Sequence, residues 1–416
     1  MPGATGARHR NFMVCLGAFW MGFVGLIWGP TPCVAAAQQG NRNPVSFRRT
    51  FGGPGLDEGN AVLQTRDGGY ITTGVTASSG TGARNMWLLK VDATGQQLWS
   101  RSFGSSEYSG GESIQETVDG GYIIVGSRLS ARPTDYDILL IKTDDKGREL
   151  WTRTFGGKGW DWGSFVRQTP DGGYVITGWT DSYGAGAGDL WLIKTDAAGV
   201  KEWDRTYGGI DNDQGNCVQP TSDGGYIVTG TTTSYSIGQD DLWLLKTDAT
   251  GNVQWMRTFG GSGSDEGQYV QQTGDGGYIV VGSTTSFGSG DSDVWIIRLG
   301  VDGDVAWTRT LGGTEWDWGS AVVQVGDDGF IMAGSTFSNG AGESDVWLIR
   351  IDADGHEDWS RTFGGPNLDF GLGLELTADG GFIIAGQTHS YGAGKSDLWL
   401  IKTNAEGEVV DQDNMD

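Results

Sequence analysis

Short apolar runs alternate with glycine-rich polar segments along most of the chain, and this pattern predicts β-strands. Two examples are YIVVG at 278–282 and VWIIR at 294–298, both bounded by Gly, Asp or Ser. Apolar and β-branched runs of about four to eight residues between turn residues are typical of strands. The runs lack the 3.6-residue periodicity of an amphipathic helix, so we expect an all-β protein.

The predicted strands recur in a long repeat. Segments related to Arg-Thr-Phe-Gly begin at Arg49 and Arg101 and continue every 52 residues, so that seven copies fill 47–410. Each copy contains four short apolar runs joined by Asp-Gly-Gly hairpins, Asp-x-x-Gly turns and longer loops. Four antiparallel strands repeated around an axis are typical of a β-propeller. The sequence therefore predicts a seven-bladed β-propeller with four antiparallel strands per blade.

The two ends of the repeat region complement each other. The last copy stops after its third strand, at 398–403, while Phe47–Phe51 matches the fourth-strand segment Trp99–Phe103. A fourth strand supplied by the N-terminal segment would complete blade seven and remove an open sheet edge. We therefore expect a closed ring.

The chain outside the repeats predicts export. Arg8 and Arg10 precede an apolar run from Phe12 to Trp28 and a small-residue segment at 35–37, which is the layout of a secretory signal peptide. An uncleaved membrane anchor is the alternative. We expect a signal peptide at 1–37, a linker at 38–46, the propeller at 47–410 and an acidic tail at 411–416. The protein would be secreted, periplasmic or displayed at the cell surface, with no membrane span after cleavage.

Composition narrows the partners. The chain has 28 Lys and Arg against 52 Asp and Glu, a net charge of −24 that repels nucleic-acid phosphates. Cys217 is the single cysteine beyond the predicted signal peptide, which excludes an internal disulfide and a cysteine-based metal site. We expect a monomer that binds a glycan or a protein, and no nucleic acid.

Twelve tryptophans occupy two repeated strand positions, and we interpret them as packing between blades. The repeated fourth-strand Arg is expected to lie on the Trp rings and to pair with a third-strand acid such as Asp189.

Binding is expected on the face that carries the long loops, those from fourth to first and from second to third strands. The first candidate there is a set of acids at the start of the innermost strands, a set that could bind Ca²⁺ as the one candidate cofactor: Asp57, Asp161, Asp213, Asp265, Asp317 and Asp369. The alternative, which we favour, is that each Asp caps its own turn.

The second candidate consists of aromatic residues outside the packing positions. Trp160, Trp162, Trp316 and Trp318 flank two of these acids on repeats three units apart, which suggests distant sides of the ring. Indole rings beside carboxylates suit a sugar, whose C–H face stacks while its hydroxyls form hydrogen bonds. Trp179 also lies outside the packing positions, and the loops from second to third strands add Tyr183, Tyr235 and Tyr391. The alternative is packing of loops over the blade ends.

The third candidate is the second repeat, which departs most from the pattern. It carries Arg128 for Thr, Arg132 for Gly and Leu139 for Trp, and it adds Glu107, Tyr108, Glu112 and Tyr136. In a symmetric ring, an asymmetric catalytic site must arise from such departures, and these residues would suit an anionic sugar polymer. The alternative is drift in a surface loop.

Three repeated motifs resemble the DGGY-type propeller repeats of exported bacterial and archaeal proteins: DGGYI-x-x-G, D-x-W-L-I-K-T-D-x-x-G and W-x-R-T-F-G-G. DGGY-type repeats are related in layout to SBBP and delta-60 repeats. The resemblance covers 47–410 and implies secretion or surface display without an assigned activity. The turn D-A-x-T-G-x-x-x-W also looks like the blades of quinoprotein dehydrogenases, but those typically have eight blades and a vicinal cysteine pair. The leading interpretation is an extracytoplasmic binding or scaffold propeller, leaning toward no catalysis. The alternative is a polysaccharide lyase or hydrolase acting at the second repeat.

Overall fold

The computed structural model describes residues 45–78, 83–104, 108–130, 134–327 and 329–410. These residues form 28 strands and no helix. In chain order the strands β1 to β28 are Phe47–Phe51, Asp57–Gln64, Tyr70–Thr76, Asn85–Val91, Gln97–Phe103, Ser109–Glu116, Tyr122–Leu129, Tyr136–Thr143, Glu149–Phe155, Asp161–Gln168, Tyr174–Thr180, Asp189–Thr195, Lys201–Tyr207, Asp213–Pro220, Tyr226–Thr232, Asp241–Thr247, Val253–Phe259, Asp265–Gln272, Tyr278–Thr284, Asp293–Leu299, Val305–Leu311, Asp317–Gln324, Gly329–Thr336, Asp345–Asp352, Glu357–Phe363, Asp369–Leu376, Phe382–Thr388 and Asp397–Thr403.

The strands form seven antiparallel sheets of four, and each of the first six uses consecutive strands, beginning with β2 to β5. The seventh has the order β26, β27, β28, β1, with Phe47 opposite Lys402 and Phe51 opposite Leu398. The prediction of a seven-bladed propeller closed by its N-terminal strand is therefore confirmed.

Aromatic rings on the fourth strands seal the seams between blades. Trp99 packs on Tyr122 of the next blade at 6.4 Å between ring centroids, and it also covers the turn glycine Gly147. Gly147 has a φ of +70°, and a Cβ there would lie 2.5 Å from the Trp99 ring, so no other residue fits without a shift. Phe47 covers Gly95 in the same way at the closing seam. The structure thus supports a packing role for this tryptophan position.

The expected charge pairs are partly wrong. The guanidinium of Arg101 does lie over the Trp99 ring, at 5.5 Å from its centroid. The third-strand acid Asp189, however, accepts a hydrogen bond from the backbone N–H of Ala185, at 2.9 Å, because its own loop folds back over it. The pair that recurs joins a buried third-strand lysine to the hairpin Asp, as in Lys246 and Asp223 at 2.8 Å.

The predicted signal peptide, the acidic tail and nearly all of the linker lie outside the described residues and stay predictions. Within the described ranges, no helix has the length and apolar character needed to cross a membrane.

Candidate functional site

The innermost strands of the blades enclose a cavity of about 410 Å³, which we call the channel pocket. These strands are β2, β6, β10, β14, β18, β22 and β26, and they begin at the long-loop face. Trp162 and Trp318 line the pocket near that face, each one residue after the Asp that starts its strand. The next ring of lining side chains is mostly polar: Asn60, Glu112, Ser164, Asn216, Gln268, Ser320 and Leu372.

Trp162 and Trp318 belong to the two motifs that the sequence places three repeats apart. They line one cavity because all seven innermost strands converge on the same axis. Trp318 stacks on Phe370 at 5.6 Å and 22° between ring planes. Trp160 and Trp316 lie outside the pocket lining, and each is about half exposed, at 53% and 54%. Each motif therefore contributes one indole to the pocket and one to the surface of the face.

A second cavity, of about 280 Å³, adjoins the channel pocket and is lined by Trp160, Trp162 and Trp179. Ser164 and Asn216 line both cavities. Hydrogen bonds hold two of the indoles: Trp160 Nε1 donates to the Thr134 carbonyl and Trp179 Nε1 donates to Asn212 Oδ1, both at 2.7 Å. Three of the predicted sugar-binding residues are thus brought together in one aromatic recess.

Two tyrosines of the irregular second repeat pack against this recess. The Tyr108 ring lies 5.7 Å from Tyr136 and 6.2 Å from Trp162, and the Tyr136 ring lies 5.5 Å from Trp160. Two residues of the second candidate, Trp160 and Trp162, and two of the third, Tyr108 and Tyr136, therefore form one aromatic cluster beside the channel.

The other residues of the second repeat divide between two places. Glu112 lines the channel pocket, whereas Arg128 lies in a separate groove between blades, beside Leu139 and Glu149. Glu107 and Arg132 lie outside the described residues. The structure therefore places Glu112 in the channel pocket and Arg128 in the groove. Tyr108 also lines the groove, while its ring contacts Tyr136 and Trp162.

Glu112 stands in an unusual electrostatic environment. Its Oε2 accepts a hydrogen bond from Asn60 Nδ2 at 3.1 Å. Burial, together with the negative charge of Glu58, raises the pKa of Glu112 to about 7. Burial and the charge of Glu112 raise the pKa of Tyr108 to about 12. The carboxyl group of Glu112 therefore changes its charge near neutral pH.

Sequence reasoning missed a polar network at the floor of the channel pocket. Arg167 lies over the Phe165 ring, 4.3 Å from its centroid, and its Nε donates to Gln219 Oε1 at 3.1 Å. The Tyr269 hydroxyl accepts a hydrogen bond from Gln219 Nε2 at 3.3 Å. Burial raises the pKa of the nearby Glu375 to about 7. The sequence feature that could have revealed this network is a charged residue at one position of the innermost strand, Arg167 in one repeat and Glu375 in another.

The six acids proposed for Ca²⁺ are fully buried, and each is engaged by its own blade. In the third blade, Asp161 Oδ2 accepts hydrogen bonds from the Gly157 N–H at 2.8 Å and the Ser182 hydroxyl at 2.7 Å. The Thr180 hydroxyl donates to the other oxygen. Equivalent Gly and Ser contacts recur at the remaining five acids: Asp57, Asp213, Asp265, Asp317 and Asp369. This geometry agrees with the capping alternative rather than with a shared calcium site.

The loop tyrosines also have structural contacts. Tyr183 packs on the buried Trp191 at 5.2 Å, and its hydroxyl donates to the Gly156 carbonyl at 2.9 Å. Tyr235 and Tyr391 make the same pair of contacts in their own blades. None of the three lines the channel pocket or the aromatic recess among the described residues.

Comparisons with known proteins bear on the fold. The Neurospora crassa Pan2 WD40 domain superposes with a TM-score of 0.50 at 10% identity, covering 86% of this chain and 96% of that one. Sqt1 from Chaetomium thermophilum gives 0.48 at 10% identity and 80% coverage of both chains. The regulatory protein FlaEY of Caulobacter vibrioides is 28% identical over 29% of this chain, a match that spans 15% of FlaEY. No family model matches. The strand order and the Pan2 superposition show a propeller fold.

Proposed function

We propose that this protein is an extracytoplasmic binding propeller that recognises a glycan through the channel pocket. The observation that carries the proposal is the presence of two indoles, Trp162 and Trp318, in the lining of one cavity. Directly below them lie the amide side chains of Asn60, Asn216 and Gln268. Aromatic faces stack on the apolar face of a sugar ring, while amides bind its hydroxyls.

The size of the channel pocket favours a small ligand such as a short oligosaccharide over a protein surface. Its volume of about 410 Å³ falls within the range of roughly 300 to 1,000 Å³ that is typical of small-molecule sites. The proposed export rests on the predicted signal peptide at 1–37 and on the resemblance of 47–410 to DGGY-type repeats.

A second candidate function is cleavage of a polysaccharide. The observation in its favour is Glu112, whose raised pKa and neighbouring Glu58 resemble the paired carboxyl groups of glycoside hydrolases. Tyr108 lies within electrostatic reach of both acids and would be a further candidate for proton transfer. This candidate predicts turnover in addition to binding.

The test is a glycan array followed by calorimetric titration of each hit. We expect Trp162→Ala and Trp318→Ala to weaken binding about tenfold or more each, which corresponds to about 1.4 kcal/mol. Trp316→Ala is the matched control, because Trp316 lies outside the pocket lining, and it should change the affinity by less than about twofold. An equal loss in the control, or an array without hits, would contradict the proposal. Release of reducing or unsaturated ends that stops in Glu112→Gln would support the enzyme instead.

A further inference from the structure

Two neighbouring carboxyl groups, contributed by blades one and two, lie on one side of the channel: Glu112 in the lining of the channel pocket and Glu58 next to it, outside the lining. Glu112 is the only acid in the polar ring of the pocket lining, where the other repeats have Asn, Ser, Gln or Leu. Glu58 occupies the position in β2 that Trp162 occupies in β10. Asn60 lies two residues after Glu58 and donates to Glu112 Oε2, so that β2 and β6 bring both acids to the same side.

Among the residues that the structure describes, this pair of acids has no cation as an ion-pair partner. Across the described ranges, Glu112 has the Asn60 amide as its hydrogen-bond partner and no ion pair. Of the described residues, Arg167 is the one cation in the pocket lining, and Gln219 and Phe165 contact it at the floor. Arg84 reaches Tyr108 electrostatically but does not line the pocket. A carboxylate in a partly dehydrated cavity is stabilised when a positively charged group binds beside it.

Aromatic rings stand on the same side of the channel pocket as the two acids. Tyr108, Tyr136 and Trp162 form a contiguous cluster, with ring centroids separated by 5.7 to 6.2 Å. The Tyr108 hydroxyl lies beside Gly110, two residues before Glu112 on β6. Aromatic faces attract cations through the ring quadrupole, and they do so best when water is excluded. Carboxyl groups beside aromatic faces are the combination that recognises an ammonium group.

We infer that the channel pocket binds an amino sugar with a free ammonium group, which lies between Glu58 and Glu112 while the sugar ring packs on Trp162. The inference rests on the proposed glycan binding and makes it more specific. A neutral sugar brings no positive charge to the acid pair, whereas an ammonium group does so and donates up to three hydrogen bonds. The ligand class is therefore a deacetylated amino-sugar oligomer.

The experiment titrates the protein with three β-1,4-linked tetramers, of glucosamine, N-acetylglucosamine and glucose, at about pH 7, where the free amine is partly protonated and the Glu112 carboxyl group is partly ionised. We expect the glucosamine tetramer to bind about tenfold or more tightly than the other two. Glu112→Gln should remove most of this preference and leave the affinity for the neutral tetramers within about twofold. The matched control is Glu266→Gln, which changes the acid that β18 carries at the repeat position of Glu58 but leaves the Glu58–Glu112 pair intact. Thermal unfolding of each variant verifies that it is folded.

The outcomes separate this inference from the proposed function. Equal binding of the three tetramers, or a preference that survives Glu112→Gln, overturns the amino-sugar assignment while glycan binding stands. A fourth probe, n-butylammonium, tests the cation site without any sugar. If butylammonium binds in a Glu112-dependent way and no oligosaccharide does, the cation site stands and the glycan proposal fails. If neither class of probe binds, both are wrong.

Discussion

Closure of the ring by β1 can be tested with a single side chain. Phe47 is 4% exposed and packs edge-on against Tyr70 at 5.8 Å and over the turn at Gly95, both in blade one. Phe47→Ala removes a buried ring from the one seam that depends on the N-terminal strand. Truncating a buried Phe to Ala costs about 3 to 5 kcal/mol, since the transfer free energy is lost and a cavity remains. We expect a loss of that size in the free energy of unfolding, measured by urea titration with circular dichroism.

The matched control is Phe287→Ala, which removes the same ring from a loop where it is 46% exposed. Because only about half of that ring is withdrawn from water, we expect a loss of about 1 kcal/mol. If Phe47→Ala costs no more than this control, the contact between β1 and blade one does not hold the ring closed. If both variants unfold with the wild-type midpoint, the packing argument for the seams is refuted.

Three further predictions concern charge and packing. Burial raises the pKa of Glu375 to about 7, so ionisation of this carboxyl group opposes folding. The free energy of unfolding should therefore fall as pH rises from about 4.5 to 7, and Glu375→Gln should flatten this part of the stability–pH curve. Asp223→Ala removes the carboxylate partner of buried Lys246 and should lower the free energy of unfolding, measured by urea titration, by about 1 to 3 kcal/mol. Since the pKa of Asp223 is lowered to about 2, the stability that this pair adds to the wild type should disappear as pH falls from about 4 to 2. Leu139→Trp should raise the free energy of unfolding by about 1 kcal/mol, because the new indole N–H would reach the buried Thr152 hydroxyl, which lacks a hydrogen-bond partner. A lower free energy of unfolding would show that the groove cannot accept the ring.

The architecture was predictable because its determinants are local and repeated. The Asp-Gly-Gly hairpins and the 52-residue period specify each blade, and the match of Phe47–Phe51 to a fourth strand specifies closure. Individual polar partners were less predictable. The sequence predicts an ion pair between Asp189 and an arginine. In the structure, the backbone N–H of Ala185, four residues earlier in the same loop, donates a hydrogen bond to the Asp189 carboxylate instead. Adjacency of strands follows from the repeat, whereas the choice among nearby donors depends on loop geometry that the repeat does not encode.

The candidate site was predicted in its residues but not in its arrangement. Because three repeats separate the Trp162 and Trp318 motifs, the sequence suggests that they lie far apart. The innermost strands lie at the smallest radius of the ring, however, so both residues line the same cavity. Arg167 was not predicted for the same reason: it lies on a strand and faces the axis, whereas the sequence pattern directs the search for a site to the variable loops. Positions between blades repeat because each must fill the same close-packed seam. Positions facing the channel meet an open cavity instead, so their side chains can differ among blades at little cost in packing. An asymmetric ligand can therefore be recognised on the inner strands of a symmetric ring without weakening the ring itself.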